Sequence, residues 1–283
     1  MSIKTPSFAT PSKPVPTPNR PTRNSWLFPP ATQEVQFDEK WSFVTKKQKQ
    51  CQDGPADARC GDCWDHVAID PEHRLVLSVV VGKRTEENAR QLVHEFHERT
   101  DGRLINLMTS DEYPTYASVI AEVYAEEVSP TGRAAAELPD WLVYATVHKT
   151  RENNRVVKVE ARLVYGTLLS LAAALVWSVL DFVNTVFVER SNGSDRLRNS
   201  RKVRKTYRFA KDWGVHEAMT YFTLYSANFC WCVRTLREEV VPKRYRQRTP
   251  ALAAGLADHV WSLEEWLLFP ANTRHKLPPF SRK

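Results

Sequence analysis

Residues 35–44 have the sequence VQFDEKWSFV, in which the residue types alternate along the chain. A period of two residues is typical of a β-strand, because successive side chains point to opposite faces of a sheet. One face would carry Phe37, Trp41 and Phe43, and the other would carry Asp38. The pattern predicts a strand that packs its aromatic face against a core and presents Asp38 on the opposite face.

The segments around this strand indicate an α/β protein. CWDHVAID and RLVLSVVVG, joined by a turn at 70–73, predict two further strands in a hairpin. A helix is expected over 86–99 with Thr85 as its N-cap, then a buried strand that ends at Asp111, then a helix over 116–127. With three antiparallel strands and a fourth beside the first, this order predicts an RNase H-like mixed sheet of five strands with helices on both faces.

The second half of the sequence predicts an insertion followed by helices. A hairpin is expected around residues 152–154 and a helix over 167–180, which together form an inserted hairpin-helix unit. A long basic helix is expected from about 189 to 209, and an apolar helix over 216–232. No internal repeat is visible in the sequence.

Composition divides the chain into three parts. Residues 1–30 are rich in proline, serine and threonine and predict a disordered tail, because such a segment buries too little apolar surface to order itself. A folded α/β domain is expected over 31–235, and a basic C-terminal extension, with a helix near 262–268, over 236–283. The first residues lack the apolar region of a signal peptide, and the five cysteines fit a reducing compartment, so a cytoplasmic location is expected.

Basic residues are concentrated in one segment. The formal net charge is +7 and the isoelectric point is about 9.2. Between residues 190 and 211 the single acid is Asp195, and the basic residues are Arg190, Arg196, Arg198, Arg201, Lys202, Arg204, Lys205, Arg208 and Lys211. Such a stripe is typical of a protein that binds the phosphate backbone of a nucleic acid. A solvated helix face is the alternative interpretation of the same pattern.

Three acids occupy positions that would converge in the predicted fold. Asp38 lies within the first strand, Asp111 ends the fourth strand, and Glu189 begins the basic helix. Several carboxylates brought together can hold Mg²⁺ ions, which prefer hard oxygen ligands and support in-line cleavage of phosphodiester bonds. A single acid on a strand is more often exposed or hydrogen-bonded, so the interpretation depends on the sequences around the three acids.

Those flanking sequences resemble a known family. DEKWSFV, WDHVAID with VVGKRT, TSDEYPTY, and NTVFVERSNGSDRLRNSRKVRKTYRFAKD are similar, in this order, to motifs of the insertion-sequence-one type of bacterial DDE transposases. The resemblance covers roughly residues 35–232. It implies an RNase H-like catalytic domain in which Asp38, Asp111 and Glu189 hold two Mg²⁺ or Mn²⁺ ions and catalyse DNA cleavage and strand transfer.

The resemblance also implies roles for other residues. Arg196 matches a basic residue that follows the catalytic Glu by two helical turns and would hold a phosphate, and Asn192 would support the site. DNA contacts are expected from Lys83 and Arg84, although these two residues equally suit a solvent-exposed turn. Further DNA contacts are expected from Arg198, Arg201, Lys202, Arg204, Lys205 and Arg208.

The implied partners are the DNA of the element ends and of the target, and a homo-oligomer is expected because two ends must be held together. The implied location is a bacterial cytoplasm, at the nucleoid. The family usually carries an N-terminal DNA-reading region, and this sequence has the proline-rich segment in that place. Two alternative functions stay open: an RNase H-like nuclease without strand transfer, and a catalytically inactive DNA-binding remnant.

The sequence leaves two residue assignments open. The interval between Asp111 and Glu189 is longer than in short members of the family, so spacing alone does not separate Glu189 from Glu152 or Glu160. A zinc knuckle is the second open possibility, with the ligands Cys51, Cys60, Cys63 and His66.

Overall fold

The computed structural model describes residues 32–269, except for 53, 129–137, 139–140, 154 and 204–205. The tail expected over 1–30 therefore lies outside the described residues. The strands are β1 Glu34–Val44, β2 Gly61–Asp70, β3 Leu75–Gly82, β4 Leu107–Asp111, β5 Tyr144–Glu152, β6 Arg155–Tyr165, β7 Glu238–Val241 and β8 Arg244–Arg246. The helices are α1 Glu86–Arg99, α2 Thr115–Val128, α3 Leu168–Trp177, α4 Val186–Arg198, α5 Trp213–Cys230, α6 Pro250–Ala253 and α7 Leu263–Leu268.

Six strands form one mixed sheet in the order β3-β2-β1-β4-β5-β6. β1 pairs antiparallel with β2 and parallel with β4, and β5 pairs parallel with β4 and antiparallel with β6. The order of the first five strands is consistent with the RNase H-like arrangement expected from the sequence. The expected count of five was wrong, because the inserted hairpin does not stand apart: β6 runs along β5 from Tyr165 to Arg155 and extends the sheet.

Helices α1 and α2 cover one face of the sheet. Phe37 from β1 is fully buried there between Phe96 of α1 and Tyr116 of α2, with ring centroids 5.5 and 5.4 Å apart. The Thr85 side chain accepts a hydrogen bond from the backbone N–H of Asn88, as expected for the N-cap of α1. This face is the main hydrophobic core and fixes the position of β1.

Helices α3, α4 and α5 cover the opposite face. Beyond Asp38 this face of β1 is fully covered, since Lys40, Ser42 and Val44 are all buried. The sequence predicted that the aromatic face would pack and that the opposite face would present Asp38. Beyond Asp38 the opposite face is packed as well, and on the aromatic face Trp41 is only half-buried.

The long basic helix expected to about residue 209 is shorter than predicted. α4 ends at Arg198, and Asn199 leads into a 3₁₀ turn at Ser200–Lys202. The Asn199 side chain accepts from the backbone N–H of Arg201, so an asparagine side chain competes with the helical hydrogen bonds at this point. Arg201 and Lys202 therefore lie on the 3₁₀ turn and not on α4.

The C-terminal extension has more structure than the sequence predicted. β7 and β8 form a two-stranded hairpin, and α6 and α7 pack near α5. Trp261 is buried against Phe229 of α5, with ring centroids 4.8 Å apart. Within the described part of the chain, no helix combines the length and the apolar character needed to cross a membrane.

Candidate active site

Two of the three candidate acids lie on neighbouring parallel strands. Phe37 of β1 pairs with Ser110 of β4, so Asp38 and Asp111 each come one residue later. This register places the two acids side by side at the same level of the sheet. The backbone N–H of Glu39 donates to Asp38 Oδ1 over 2.8 Å and helps to hold that carboxylate.

The third acid is brought to the same place by the start of α4. The Gln36 side-chain oxygen accepts from the backbone N–H groups of Phe187 and Val188, both at 3.1 Å, which ties the helix start to β1. The Thr185 hydroxyl lies 3.2 Å from Asp111 Oδ1 and 2.8 Å from Glu189 Oε1. One hydroxyl therefore spans the second and third candidate acids.

Asn192 links the same helix to the first acid. Its side-chain nitrogen donates to Asp38 Oδ2 over 2.6 Å. Because Asn192 is one helical turn after Glu189, both side chains lie on the face of α4 that meets the sheet. The structure thus brings Asp38, Asp111, Glu189 and Asn192 together.

Sequence analysis missed a lysine at the centre of this group. Lys149 Nζ forms ion pairs with Asp111, at 3.3 Å, and with Glu189, and it donates to the Thr185 hydroxyl at 3.3 Å. Lys149 lies two residues beyond Val147, which is the β5 partner of Asp111, so the two side chains share a face. The role of Lys149 follows from the pairing of β5 with β4, and the sequence alone does not show which strands pair.

The electrostatic environment of the site disfavours the ionised form of Asp38. Burial raises the pKa of Asp38 to about 6, and the negative charges of Asp111 and Glu189 add to this shift. Carboxylates that repel one another in a partly buried site are typical of a cation site. Lys149 supplies one positive charge at the position where a metal ion would compensate Asp111 and Glu189. The donor set, three carboxylates with hard oxygens, therefore fits Mg²⁺ or Mn²⁺.

A second cluster of charged side chains lies beneath the site and is fully buried. Asp65 of β2 and Asp195 of α4 share the ammonium groups of Lys40 and Lys202, with Lys202 at 2.9 Å from each acid. The Thr223 hydroxyl of α5 also donates to Asp195, over 2.7 Å. Lys202 was expected to contact DNA. This prediction was wrong, because its ammonium group is buried and forms ion pairs with Asp65 and Asp195.

The buried cluster includes a set of potential metal ligands. Among the described residues, one set of three close ligand atoms from His, Cys, Asp and Glu is found, namely Cys63, Asp65 and His216. Burial raises the pKa of the Cys63 thiol and disfavours the thiolate that binds metals. Two lysine ammonium groups already neutralise the acids there, so this set acts as part of an ion-pair cluster. The carboxylates of Asp38, Asp111 and Glu189 are spread more widely than this set.

The zinc knuckle considered from the sequence does not form. Cys51, Cys60, Cys63 and His66 are not gathered in the described structure. Cys63 is buried in β2 against Val44, and His66 approaches the backbone oxygen of Lys83 at 3.2 Å. The strand in which they lie points their side chains to different faces.

The competing acids Glu152 and Glu160 lie on the β5–β6 hairpin. Glu160 is paired with Lys158 at 2.8 Å, and Glu152 is exposed next to the turn. Glu189, in contrast, is close enough for its charge to raise the pKa of Asp38. The geometry therefore favours Glu189 as the third acid.

The other predicted DNA-binding residues lie in different environments. Arg196 is half-buried on α4, and Arg198, Arg201 and Arg208 are exposed, whereas Arg204 and Lys205 lie outside the described residues. Lys83 donates to Gln48 and to the Cys60 backbone oxygen, both at 3.0 Å, and Arg84 pairs with Glu39 at 3.0 Å. Lys83 and Arg84 are therefore engaged in internal contacts.

Comparisons with known proteins give little additional information. No family model matches the sequence, and no curated protein matches it significantly. A chain from the crystal structure of the Mos1 strand transfer complex is similar, with a TM-score of 0.23 and 14% sequence identity. The match covers 69% of this chain and 54% of that chain, so this chain spans about half the length of its structural neighbour. A TM-score this low carries no weight for function.

Proposed function

We propose that the protein is a DNA transposase of the DDE type, which cleaves the ends of an insertion element and transfers the strand ends to target DNA. The supporting observation is the convergence of Asp38, Asp111 and Glu189, from β1, β4 and α4, on one partly open site. These acids lie at the positions implied by the family resemblance. An exposed arginine-rich segment follows on the same helix.

The chemistry of the site follows from what each residue can hold. Asp38 and Asp111 would share one divalent ion, and Glu189 would complete the ligands of a second. The bound ions would supply Lewis acidity for water activation and for the leaving oxygen. Asn192 orients the Asp38 carboxylate, and the Thr185 hydroxyl donates to Asp111 or to Glu189, so these contacts position the ligands before DNA arrives.

Phosphate contacts are proposed for three arginines of the basic segment that the structure describes. Arg196 lies two turns after Glu189 on α4 and would hold a phosphate beside the ions. Arg201 and Arg208 are exposed and would contact the backbone further along. The proposed partner is thus DNA, with a homo-oligomer expected because two element ends react together.

The decisive experiment separates cleavage from joining. Wild type and Asp38→Asn are each incubated with Mn²⁺, a target plasmid and a duplex taken from the DNA that flanks the coding region. The duplex is supplied either intact, to measure cleavage, or precleaved, to measure joining. Loss of the carboxylate is expected to reduce both cleavage and joining by about 10³-fold or more. Cleavage without joining of precleaved ends by the wild type would indicate the nuclease instead.

The variant should remain folded, which makes the comparison interpretable. Asparagine keeps the shape of Asp38 and, through its one amide oxygen, one of the two hydrogen bonds that Asp38 accepts from Asn192 and the Glu39 backbone. It also removes a charge that Asp111 and Glu189 repel. A matched control is Asp181→Asn, at an exposed acid outside the site, which should keep full activity. DNA binding without metal should be unchanged in both variants. An Asp38→Asn protein that still cleaves DNA contradicts the proposed function.

A further inference from the structure

A cavity of about 310 Å³ lies on another face of α4, away from the candidate acids. It is enclosed by the end of β2, the start of β3, α4, α5 and the 3₁₀ turn at Arg234–Leu236. Its floor is apolar and buried, formed by Ile69, Val76, Phe187, Leu224 and Ala227. Its volume is close to the lower limit of ligand-sized cavities, about 300 Å³.

Four arginines line this cavity: Arg74, Arg190, Arg198 and Arg234. None of them forms an ion pair within 4 Å of an acid in the part of the chain that the structure describes. The one acid in the lining, Asp195, is already neutralised by Lys40 and Lys202. Asp70 and Glu34 offset part of the charge of Arg74, but no described acid lies within 4 Å of any of the four guanidinium groups. The cavity therefore combines an apolar floor with an excess of positive charge.

Arg74 is the most constrained of the four. Its guanidinium stacks on the ring of Phe187 at 3.9 Å, and its Nη1 is buried with no hydrogen-bond partner among the described residues. Its backbone has φ of 56°, a left-handed conformation that is uncommon for a residue with a side chain. A buried guanidinium nitrogen without a partner costs free energy, so an acceptor in the cavity would be stabilising.

The other three arginines lie in the exposed part of the lining. Arg190, Arg198 and Arg234 are exposed, and Arg198 lies over the ring of Trp231 at 5.1 Å. Guanidinium groups bind phosphate oxygens through paired hydrogen bonds, which makes clustered arginines typical of phosphate sites. A phosphate alone would leave the apolar floor uncovered, so the ligand needs an apolar part as well.

We propose that this cavity binds one unpaired nucleotide of a nucleic acid strand, with the phosphate at the four arginines and the base on the apolar floor. A base within a duplex is stacked and paired and cannot enter, so the site selects a single-stranded end or overhang. Binding here requires neither the three acids nor a metal ion. The inference therefore stands or falls separately from the proposed catalytic function.

The test measures binding of full-length protein to two fluorescent hairpins of the same stem, one blunt and one with a (dT)₈ overhang, in EDTA. The wild type is expected to bind the overhang hairpin about tenfold more tightly. The variant Arg190→Gln/Arg234→Gln should lose this preference for the overhang. Its affinity for the blunt hairpin should fall by no more than the affinity of the control variant for the same hairpin. The matched control is Arg155→Gln/Arg244→Gln, which removes two exposed arginines elsewhere and should keep the preference.

Two further arms test the apolar part of the site. Ala227→Leu fills the floor without changing any charge and should also abolish the overhang preference. In competition with the overhang hairpin, dTMP should be at least about tenfold more effective than inorganic phosphate. Equal binding of the two hairpins by the wild type, equal loss in the control variant, or equal competition by phosphate and dTMP would each overturn the inference.

Discussion

The structure contains two clusters of lysines and acids that share β1 and α4 but differ in burial and charge balance. The buried cluster pairs Lys40 and Lys202 with two acids, and all four side chains are at most 1% exposed. The open cluster places Lys149 among three acids, two of which, Asp111 and Glu189, have side chains 42% and 46% exposed. The first is electrically balanced, and the second carries an excess of negative charge.

This difference separates structure from function. A balanced ion cluster removed from water is disrupted when one partner is lost, because the remaining charge is left without compensation. An unbalanced cluster open to solvent can accept a cation without breaking the fold. The same residue types on the same two elements are therefore suited to anchoring in one case and to binding in the other.

The largest expected effect comes from the buried cluster. Asp195→Asn should lower the free energy of unfolding by about 3–5 kcal/mol, because it leaves two lysines with one acid. The double variant Asp195→Asn/Lys202→Met should recover at least half of that loss, since Lys40 and Asp65 then form a balanced pair at 3.2 Å. Urea unfolding measures both values.

Asp181→Asn serves as the control for unfolding and should change stability by no more than about 0.5 kcal/mol. If the double variant is as unstable as Asp195→Asn alone, charge balance is not what the cluster contributes, and packing of the side chains explains its effect.

The pH dependence of the same variant gives a second, smaller effect. Burial would raise the pKa of Asp195, but Lys202 and Lys40 outweigh it and hold that pKa below its ordinary range. A carboxylate with a depressed pKa stabilises the fold above the unfolded value of about 4 and loses that contribution as the pH falls through the folded value. The stability gap between wild type and Asp195→Asn should thus be constant from pH 7 to 5 and narrow below about pH 4.

Unfolding curves at a series of pH values would test this, with Asp181→Asn again as the reference. A gap that already narrows between pH 7 and 5 would show that the charge of Asp195 is not held in place by the two lysines.

The smallest effect on stability is expected at the open cluster. Lys149→Met should change the free energy of unfolding by about 1 kcal/mol or less, because Asp111 and Glu189 are accessible to water. Removing the competing ammonium should raise the affinity for Mn²⁺ by about tenfold, which corresponds to about 1.4 kcal/mol. Calorimetric titration of the DNA-free protein with Mn²⁺ measures this change.

Lys158→Met is the matched control, because Lys158 is exposed on β6 and pairs only with Glu160 in the described structure. It should leave Mn²⁺ affinity unchanged. Equal affinities of wild type and Lys149→Met would mean that Lys149 does not occupy a position that a cation takes.

Sequence analysis predicted the positions that depend on local pattern and failed where partners come from distant segments. The period of two around Asp38 and the cap at Thr85 predicted their elements correctly, and the expected hairpin is seen in the pairing of β5 with β6 up to Glu152 and Arg155. Each of these features is set by neighbouring residues. Lys149 was missed because its role depends on which strand pairs with β4. Lys202 was misassigned because its partner acids come from β2 and α4.

The same limit applies to the cavity beside α4. Its arginines are drawn from the β2–β3 turn, from α4 and from the segment after α5, so no local pattern connects them. A run of basic residues in the sequence indicates phosphate binding, but it does not show which residues of the run stay accessible to solvent. In this chain, folding withdraws Lys202 from the surface and leaves Arg190 and Arg198 exposed.

The contact of Asp195 with Lys40 has a further consequence for the motions of α4. The helix is held at its start by hydrogen bonds to Gln36 and near its end by buried ion pairs and by Thr223. Unwinding from the start would break the hydrogen bonds to Gln36, and unwinding from the end would expose buried charges. Backbone amides of α4 should therefore exchange with deuterium only when the whole domain opens, even though Glu189 and Arg190 on its surface are in contact with water.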